Sequence, residues 1–96
     1  MTNASIKSAQ LIAIEGELKF PVIMQLRKQV ESLLSGLNGK AQVDFAEVTS
    51  VDSSALSFWL CCLRFAKRNK LELEPINLPV EMQGIAKLVG LEDLTN

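Results

Sequence analysis

The sequence predicts a small α/β domain in which a mainly parallel β-sheet is flanked by helices. Strand-like segments lie at residues 11–14, 41–51 and 71–74, and segments with helical spacing lie at residues 21–37, 53–69 and 79–88. Because strands and helices alternate, successive strands are expected to pair in parallel through right-handed crossovers. A length of 96 residues leaves room for one hydrophobic core, so we predict a single domain over residues 1–96.

The first strand and the first helix are predicted from their apolar patterns. Leu11–Ile14 is a short apolar run, typical of a buried strand, and Gly16 is expected to end it. From Pro21 onward the apolar residues recur every three or four positions, which is the period of an amphipathic helix. Gly36 provides a stop for this helix. Residues before Gln10 are a candidate for an additional antiparallel edge strand.

The second half of the chain repeats this alternation. Residues 41–51 are interpreted as a strand and the loop after it, and residues that favour helix caps then precede the long helix. Leu71–Glu74 alternates apolar and charged side chains, as a half-exposed strand does, and Pro75 is expected to end it. The last helix is expected to begin at Pro79, with Gly90 as its C-terminal cap.

Composition excludes several functional classes. Ten Lys and Arg residues against eleven Asp and Glu residues give a net charge of −1, which argues against a nucleic-acid partner. The chain has no histidine, so it lacks Ser-His-Asp catalysis, Cys-His catalysis and mixed Cys/His zinc sites. Its cysteines, Cys61 and Cys62, are adjacent, and neighbouring helical side chains diverge by about 100°. We therefore predict reduced thiols, no metal, no cofactor and no enzymatic activity.

The hydrophobic pattern also bears on where the protein acts. The longest uncharged apolar stretch, Ala55–Leu63, is shorter than the about 20 residues that span a bilayer. Residues 1–10 lack the apolar core of a signal peptide. We therefore expect a soluble, cytoplasmic protein.

The junction before the long helix is the most informative segment, because a strand leads through a tight loop into a helix that begins with Asp52, Ser53 and Ser54. A helix N-terminus presents unpaired N–H groups and a partial positive charge, so a phosphate on Ser53 or Ser54 would be tolerated there. Such a phosphate would change any partner surface at this position. The alternative is ordinary N-capping by Asp52 or Ser53.

This junction resembles that of the STAS domain, the sulphate transporter and anti-sigma factor antagonist family. The residues that carry the resemblance are Val51-Asp52-Ser53-Ser54-Ala55-Leu56, Gly16-Glu17-Leu18 after the first strand, and Gly90-Leu91 near the end. The resemblance spans about residues 11–94 and implies that Ser53 is the phosphorylatable serine or its relic, with Ser54 as the alternative. Many members of the family have glycine at the position of Ala55.

Within the family, the chain resembles the small stand-alone subunit of phospholipid-transport ABC complexes. The resemblance implies a non-enzymatic cytoplasmic protein that binds the ATPase subunit and supports its assembly and activity. It also implies that the protein is peripheral to the inner membrane and reaches the membrane only indirectly, through the complex. The same family implies an alternative, an anti-sigma factor antagonist that switches partners when a kinase phosphorylates Ser53.

Helical projection divides the long helix into two apolar stripes. The stripe assigned to the core contains Ala55, Leu56, Trp59, Cys62, Leu63 and Ala66. A second stripe contains Ser54, Phe58, Cys61 and Phe65, and we expect it to face solvent and bind a partner. The predicted partner-binding surface extends from the serine junction along this side of the helix. Its residues are Asp52, Ser53, Ser54, Ser57, Phe58, Cys61 and Phe65. The alternative is that a neighbouring helix of the same domain covers the second stripe.

Positive charges cluster at the end of the long helix, where Arg64, Lys67, Arg68 and Lys70 fall within seven residues. Complementarity to the helix dipole and solvation account for this cluster. A rim contact to an acidic partner or to anionic lipid head groups is the alternative.

Overall fold

Four strands form one sheet in the computed structural model, which describes residues 2–90. The strands are β1 (Asn3–Ser8), β2 (Leu11–Leu18), β3 (Lys40–Val51) and β4 (Glu72–Ile76), and they lie in the order β1-β2-β3-β4. The helices are α1 (Val22–Leu34), α2 (Ser54–Arg68) and α3 (Val80–Leu88). β1 pairs with β2 antiparallel, and the pairs β2–β3 and β3–β4 are parallel. The predicted mixed, mainly parallel α/β fold is therefore confirmed, and so is the candidate edge strand β1.

The core lies between one face of the sheet and the layer formed by α1 and α2. Along β2 and β3, alternate side chains are fully buried, including Ile12, Ile14 and Val43, and Ile12 lies opposite Val43 in the parallel register. α1 contributes one buried side chain per turn from Ile23 to Leu34. Alternate side chains of a strand point to the same face, so the buried residues of β2 and β3 define one face of the sheet. The buried residues of α1 and α2 belong to the same core cluster, so both helices cover that face.

The largest buried side chain, Trp59, joins α2 to the sheet. Its ring contacts that of Phe45 on β3, with 5.4 Å between the ring centroids and 80° between the ring planes. This edge-to-face arrangement is one of the two that aromatic pairs prefer. Both residues are at most 1% exposed, which confirms the assignment of Trp59 to the core.

Three predicted strand boundaries, in β2, β3 and β4, are wrong. Gly16 does not end β2: it adopts a φ of 97°, the register with β3 shifts next to it, and the strand continues to Leu18. No loop separates β3 from the junction, because β3 extends to Val51. Pro75 lies within β4, opposite Val43 on an edge strand, where a missing N–H need not cost a ladder bond.

The remaining boundaries are close to their predicted positions. α1 ends at Leu34 rather than at Leu37, and Leu37 still packs against the core from the following turn. α2 has Ser53 and Asn69 as its caps, and α3 has Pro79 and Val89 as its caps. Gly90 follows with a φ of 74°, as the predicted helix ending requires. Leu91, the second residue of the Gly90-Leu91 resemblance, lies outside the described residues, as do residues 92–96.

Candidate functional site

The junction between β3 and α2 is held in place by Asp52. The backbone N–H of Asp52 donates to the carbonyl oxygen of Leu18 at 3.1 Å, which continues the pairing of β2 with β3. Its side-chain oxygen Oδ1 accepts hydrogen bonds from the backbone N–H of Ser54, at 2.9 Å, and from the Ser54 hydroxyl. Oδ2 accepts a hydrogen bond from the backbone N–H of Phe20 at 3.2 Å. One carboxylate therefore connects the start of α2 with the turn that precedes α1.

These hydrogen bonds set the charge of Asp52. The Ser54 hydroxyl is the main cause that lowers the pKa of Asp52 below its ordinary value of 3.8, and the N–H groups of Phe20 and Ser54 and the charge of Lys19 add to it. Desolvation acts in the opposite direction and is outweighed. Asp52 is therefore an anion at neutral pH, located at the positive end of a helix.

Ser53 and Ser54 have different surroundings. Ser54 is half-buried and donates its hydroxyl to Asp52. Ser53 is exposed, and although it is the N-cap residue it makes no side-chain capping hydrogen bond. Of the two capping alternatives, the carboxylate of Asp52 is the group that accepts a helix N–H. The hydroxyl of Ser53 is therefore the more accessible of the two serine hydroxyls to a modifying enzyme or a partner.

The predicted solvent-facing stripe on α2 is wrong at Phe58. Phe58 is 3% exposed and belongs to the hydrophobic core. Phe65 and Cys61 are half-buried, with Phe65 packed against the core, and Ser57 is exposed. α1 lies beside α2 and buries the part of the stripe that projects toward it. The alternative, cover by a neighbouring helix of the same domain, is therefore correct for Phe58.

Between α1 and α2 lies an open groove of about 530 Å³. Phe20, Met24 and Lys28 line it on one side, and Ser54, Ser57 and Cys61 line it on the other. We call it the α1–α2 groove. Phe58 also lines it, but is buried. Four of the predicted partner-binding residues, Ser54, Ser57, Phe58 and Cys61, thus lie together along this groove, and Asp52 and Ser53 adjoin it at the start of α2.

Sequence reasoning missed two exposed apolar residues of the groove. Phe20 is 68% exposed and Met24 is 59% exposed, and Phe20 is joined to Pro21 by a cis peptide bond. The sequence contained a signal for both residues. They are large and apolar, but neither lies on the stripe of α1 that contains the buried residues Ile23 and Leu26. Large apolar side chains outside the core stripe are candidates for contact with another molecule.

The cysteines offer little additional chemistry. No disulfide joins Cys61 and Cys62, and Cys62 is fully buried. Burial is the main cause that raises the pKa of the Cys62 thiol, which keeps it protonated. Within residues 2–90 no group of three or more His, Cys, Asp or Glu side chains is arranged to hold a metal ion. None of the helices within these residues is long and apolar enough to cross a membrane.

The fold and the junction together define a small α/β domain in which a strand leads through an Asp-Ser-Ser sequence into a long helix, and comparison with known families specifies it further. The family model described as Mlab, STAS domain matches residues 2–96. The chain therefore belongs to the STAS domain family, close to MlaB, as its junction and its glycine positions predict.

Solved structures agree with this fold. The anti-sigma factor antagonist SpoIIAA in its unphosphorylated form matches with a TM-score of 0.74 and 15% sequence identity, over 100% of this chain and 86% of that one. The Bacillus cell fate determinant SpoIIAA in its phosphorylated form matches with a TM-score of 0.71 and 17% identity, over 100% and 89%. These likenesses show a shared fold. No curated protein sequence matches the chain.

Proposed function

We propose that the chain is a non-enzymatic accessory subunit that binds and supports the ATPase subunit of a phospholipid-transport ABC complex. The observation that carries this proposal is the match of residues 2–96 to the family model described as Mlab, STAS domain. In this proposal the protein is cytoplasmic, and its contact with the inner membrane is through the complex.

The α1–α2 groove and the adjoining junction supply the docking surface. Phe20 and Met24 expose apolar side chains to solvent in the groove, and exposed Ser53 at the start of α2 follows Asp52, which binds the Phe20 N–H. Asp52 fixes this arrangement through its hydrogen bonds to Phe20 and Ser54. Such a preorganised surface binds a partner with little ordering cost.

Co-expression with the ATPase subunit encoded by the same organism tests the proposal. The purified chain alone is expected to show no ATPase activity, and the two chains are expected to co-purify. Ser53→Glu should weaken the complex because it adds volume and charge at the contact, yet it should leave the fold intact because acidic side chains are favourable at helix N-termini. Ser8→Glu, at an exposed position of β1, is the matched control.

Phe20→Ser is the second variant for this assay. Truncation of an interface aromatic costs about 2 kcal/mol, which corresponds to about a thirtyfold weaker complex. The melting temperature should stay close to that of the wild type, because the side chain is mostly exposed. Failure of the wild-type chain to form any complex with the ATPase would refute the proposed function.

A partner-switching role is the second candidate, and the exposure of Ser53 favours it. The hydroxyl projects from a helix N-terminus, where a phosphate is electrostatically tolerated, without a capping bond that phosphorylation would break. Mass spectrometry of the protein from cells tests this role. A stoichiometric phosphate on Ser53 or Ser54, together with binding to a kinase in place of the ATPase, would favour the anti-sigma factor antagonist.

A further inference from the structure

Charge is divided between the two layers of the molecule, although the net charge is only −1. α1 and α2 together carry five cations, Arg27, Lys28, Arg64, Lys67 and Arg68, and one anion, Glu31. The four strands carry six anions and two cations: Glu15, Glu17, Asp44, Glu47, Glu72 and Glu74 against Lys7 and Lys40. The helical layer therefore has a strongly positive surface, and the sheet has a negative one.

Positive charges lie in the α1–α2 groove on α1 and at its margin on α2. Lys28 lines the groove on α1, and Arg64 on α2 lies 4.0 Å from the sulfur of Cys61, which lines the opposite side. Arg27 is already bound to Glu31 at 3.1 Å. Over residues 2–90, no carboxylate forms a salt bridge with Lys28 or Arg64, so both remain available to a partner.

The lining of the groove changes from apolar to basic along its length. Met24 and Lys28 are four residues apart on α1, or about 6 Å of helix rise, and Phe20 lies in the turn before the helix. Both helices follow parallel strands, so they run in the same direction. Phe20 and Ser54 consequently lie at the apolar end and Lys28 lies at the basic end, while Arg64 lies at the margin of the groove, next to Cys61.

We propose that the α1–α2 groove binds an acidic amphipathic segment of the partner, with apolar side chains against Phe20 and Met24 and carboxylates against Lys28 and Arg64. This inference rests on the proposed function and specifies the chemistry of the ATPase segment that docks here. Charge complementarity selects such a segment over a neutral or basic one and increases the association rate.

An anionic membrane fits this surface less well than a polypeptide does. Phe20, one of the two apolar residues that would enter the lipid, donates its backbone N–H to the Asp52 carboxylate at 3.2 Å. Anionic head groups would meet this negative charge at the place where Phe20 has to insert. A peptide segment, in contrast, can have carboxylates at the basic end of the groove and neutral side chains near Asp52.

Charge reversal in the co-purified complex with the ATPase tests the inference. Lys28→Glu/Arg64→Glu should weaken the complex by at least about tenfold, and raising the salt concentration should weaken the wild-type complex. Lys7→Glu/Lys87→Glu makes the same change in net charge at exposed positions of β1 and α3, away from the groove. It should bind as the wild type does.

Peptide probes keep the test independent of the ATPase. Two synthetic helical peptides with leucine at positions i, i+3, i+4 and i+7 would carry either glutamate or lysine at their polar positions. In NMR titrations of the isotope-labelled chain, the glutamate peptide should shift the amide signals of Met24, Lys28 and Arg64, and the lysine peptide should not. Phosphatidylglycerol vesicles provide the lipid probe.

The outcomes separate the two proposals. A complex that forms but is equally strong in both charge-reversal variants overturns the inference and leaves the proposed function standing. If the wild type forms no complex, the proposed function fails and the peptide pair alone decides the chemistry of the groove. Binding of both peptides alike, of neither, or of the vesicles instead of the glutamate peptide overturns the acidic-segment proposal.

Discussion

At the scale of single residues, Asp52 has the widest structural influence at the junction. It is half-buried, and its carboxylate accepts hydrogen bonds from two backbone N–H groups and one hydroxyl. Hydrogen bonds to an ionised acceptor are stronger than those between neutral groups. The position of the Phe20 turn relative to the start of α2 therefore depends on the negative charge of Asp52.

Asp52→Asn is expected to lower stability in a pH-dependent manner. The pKa of Asp52 is depressed in the folded state, chiefly by the hydrogen bond from Ser54, so its charge contributes stability above the ordinary value of 3.8. That contribution is lost as pH falls through the lower, folded-state pKa. Urea unfolding at several pH values should therefore show a gap between wild type and variant that is widest near neutrality and narrows below pH 3.8.

Glu47→Gln removes an exposed carboxylate from β3 and is the control for general loss of charge. The difference in unfolding free energy between wild type and Glu47→Gln should not narrow below pH 3.8 as it does for Asp52→Asn. If the two variants gave the same pH profile, the hydrogen bonds of Asp52 would have no specific role in stability.

Phe58 and Met24 are expected to respond oppositely to truncation, although both line the α1–α2 groove. Phe58→Ala removes a ring that is 3% exposed and should cost about 3–5 kcal/mol, a large part of the about 5–15 kcal/mol typical of a domain. Met24→Ala, at 59% exposure, should change stability by no more than about 0.5 kcal/mol. Thermal melting distinguishes them, and equal melting temperatures would contradict the burial of Phe58.

At the scale of elements, Gln29 on α1 forms two hydrogen bonds with the edge strand β1. Gln29 accepts a hydrogen bond from the backbone N–H of Ala4 at 3.1 Å and donates one to the side chain of Asn3 at 2.8 Å. Because β1 is an edge strand, its outward N–H groups have no neighbouring strand to bind. Gln29 thus satisfies one of these groups and holds β1 against the helix.

Gln29→Ala is expected to loosen β1 without unfolding the domain. Loss of the acceptor leaves the N–H of Ala4, a residue only 6% exposed, without its partner, at a cost of about 1–3 kcal/mol. Amide hydrogen exchange should accelerate at Ala4 while the protection of β3 changes little. Gln25→Ala on the exposed side of α1 is the control, and equal exchange at Ala4 in both variants would show that Gln29 does not secure the strand.

The order of the elements was predictable because each element has a local hydrophobic pattern. The apolar period of α1 and the alternation around Leu73 report helix and strand directly. The boundaries were less predictable where pairing overrides a local signal. Pro75 remains in β4 because that strand lies at the edge of the sheet, and Gly16 remains in β2 because the strand tolerates a register shift there.

At the scale of the whole molecule, the sheet has helices on one face and its charges are unevenly divided. α1 and α2 share a groove with an apolar end and a basic end, and the junction at Asp52 adjoins the apolar end. The proposed docking surface therefore extends from the serine junction along the groove to Lys28 and Cys61, with Arg64 next to Cys61 at its margin. Only the side-by-side packing of the two helices creates this continuity.

The sequence by itself determined the α/β class, the order of strands and helices, the core role of Trp59 and the Asp52-Ser53-Ser54 junction. Each depends on neighbours in the chain, through apolar period, helix capping or a short motif. The tertiary structure alone decided that Phe58 is buried, that Phe20 and Met24 border a groove, and that Asp52 binds Phe20 across 32 residues. The reason is physical: a helix pattern shows which side chains share a face, but burial of that face depends on which distant element packs against it.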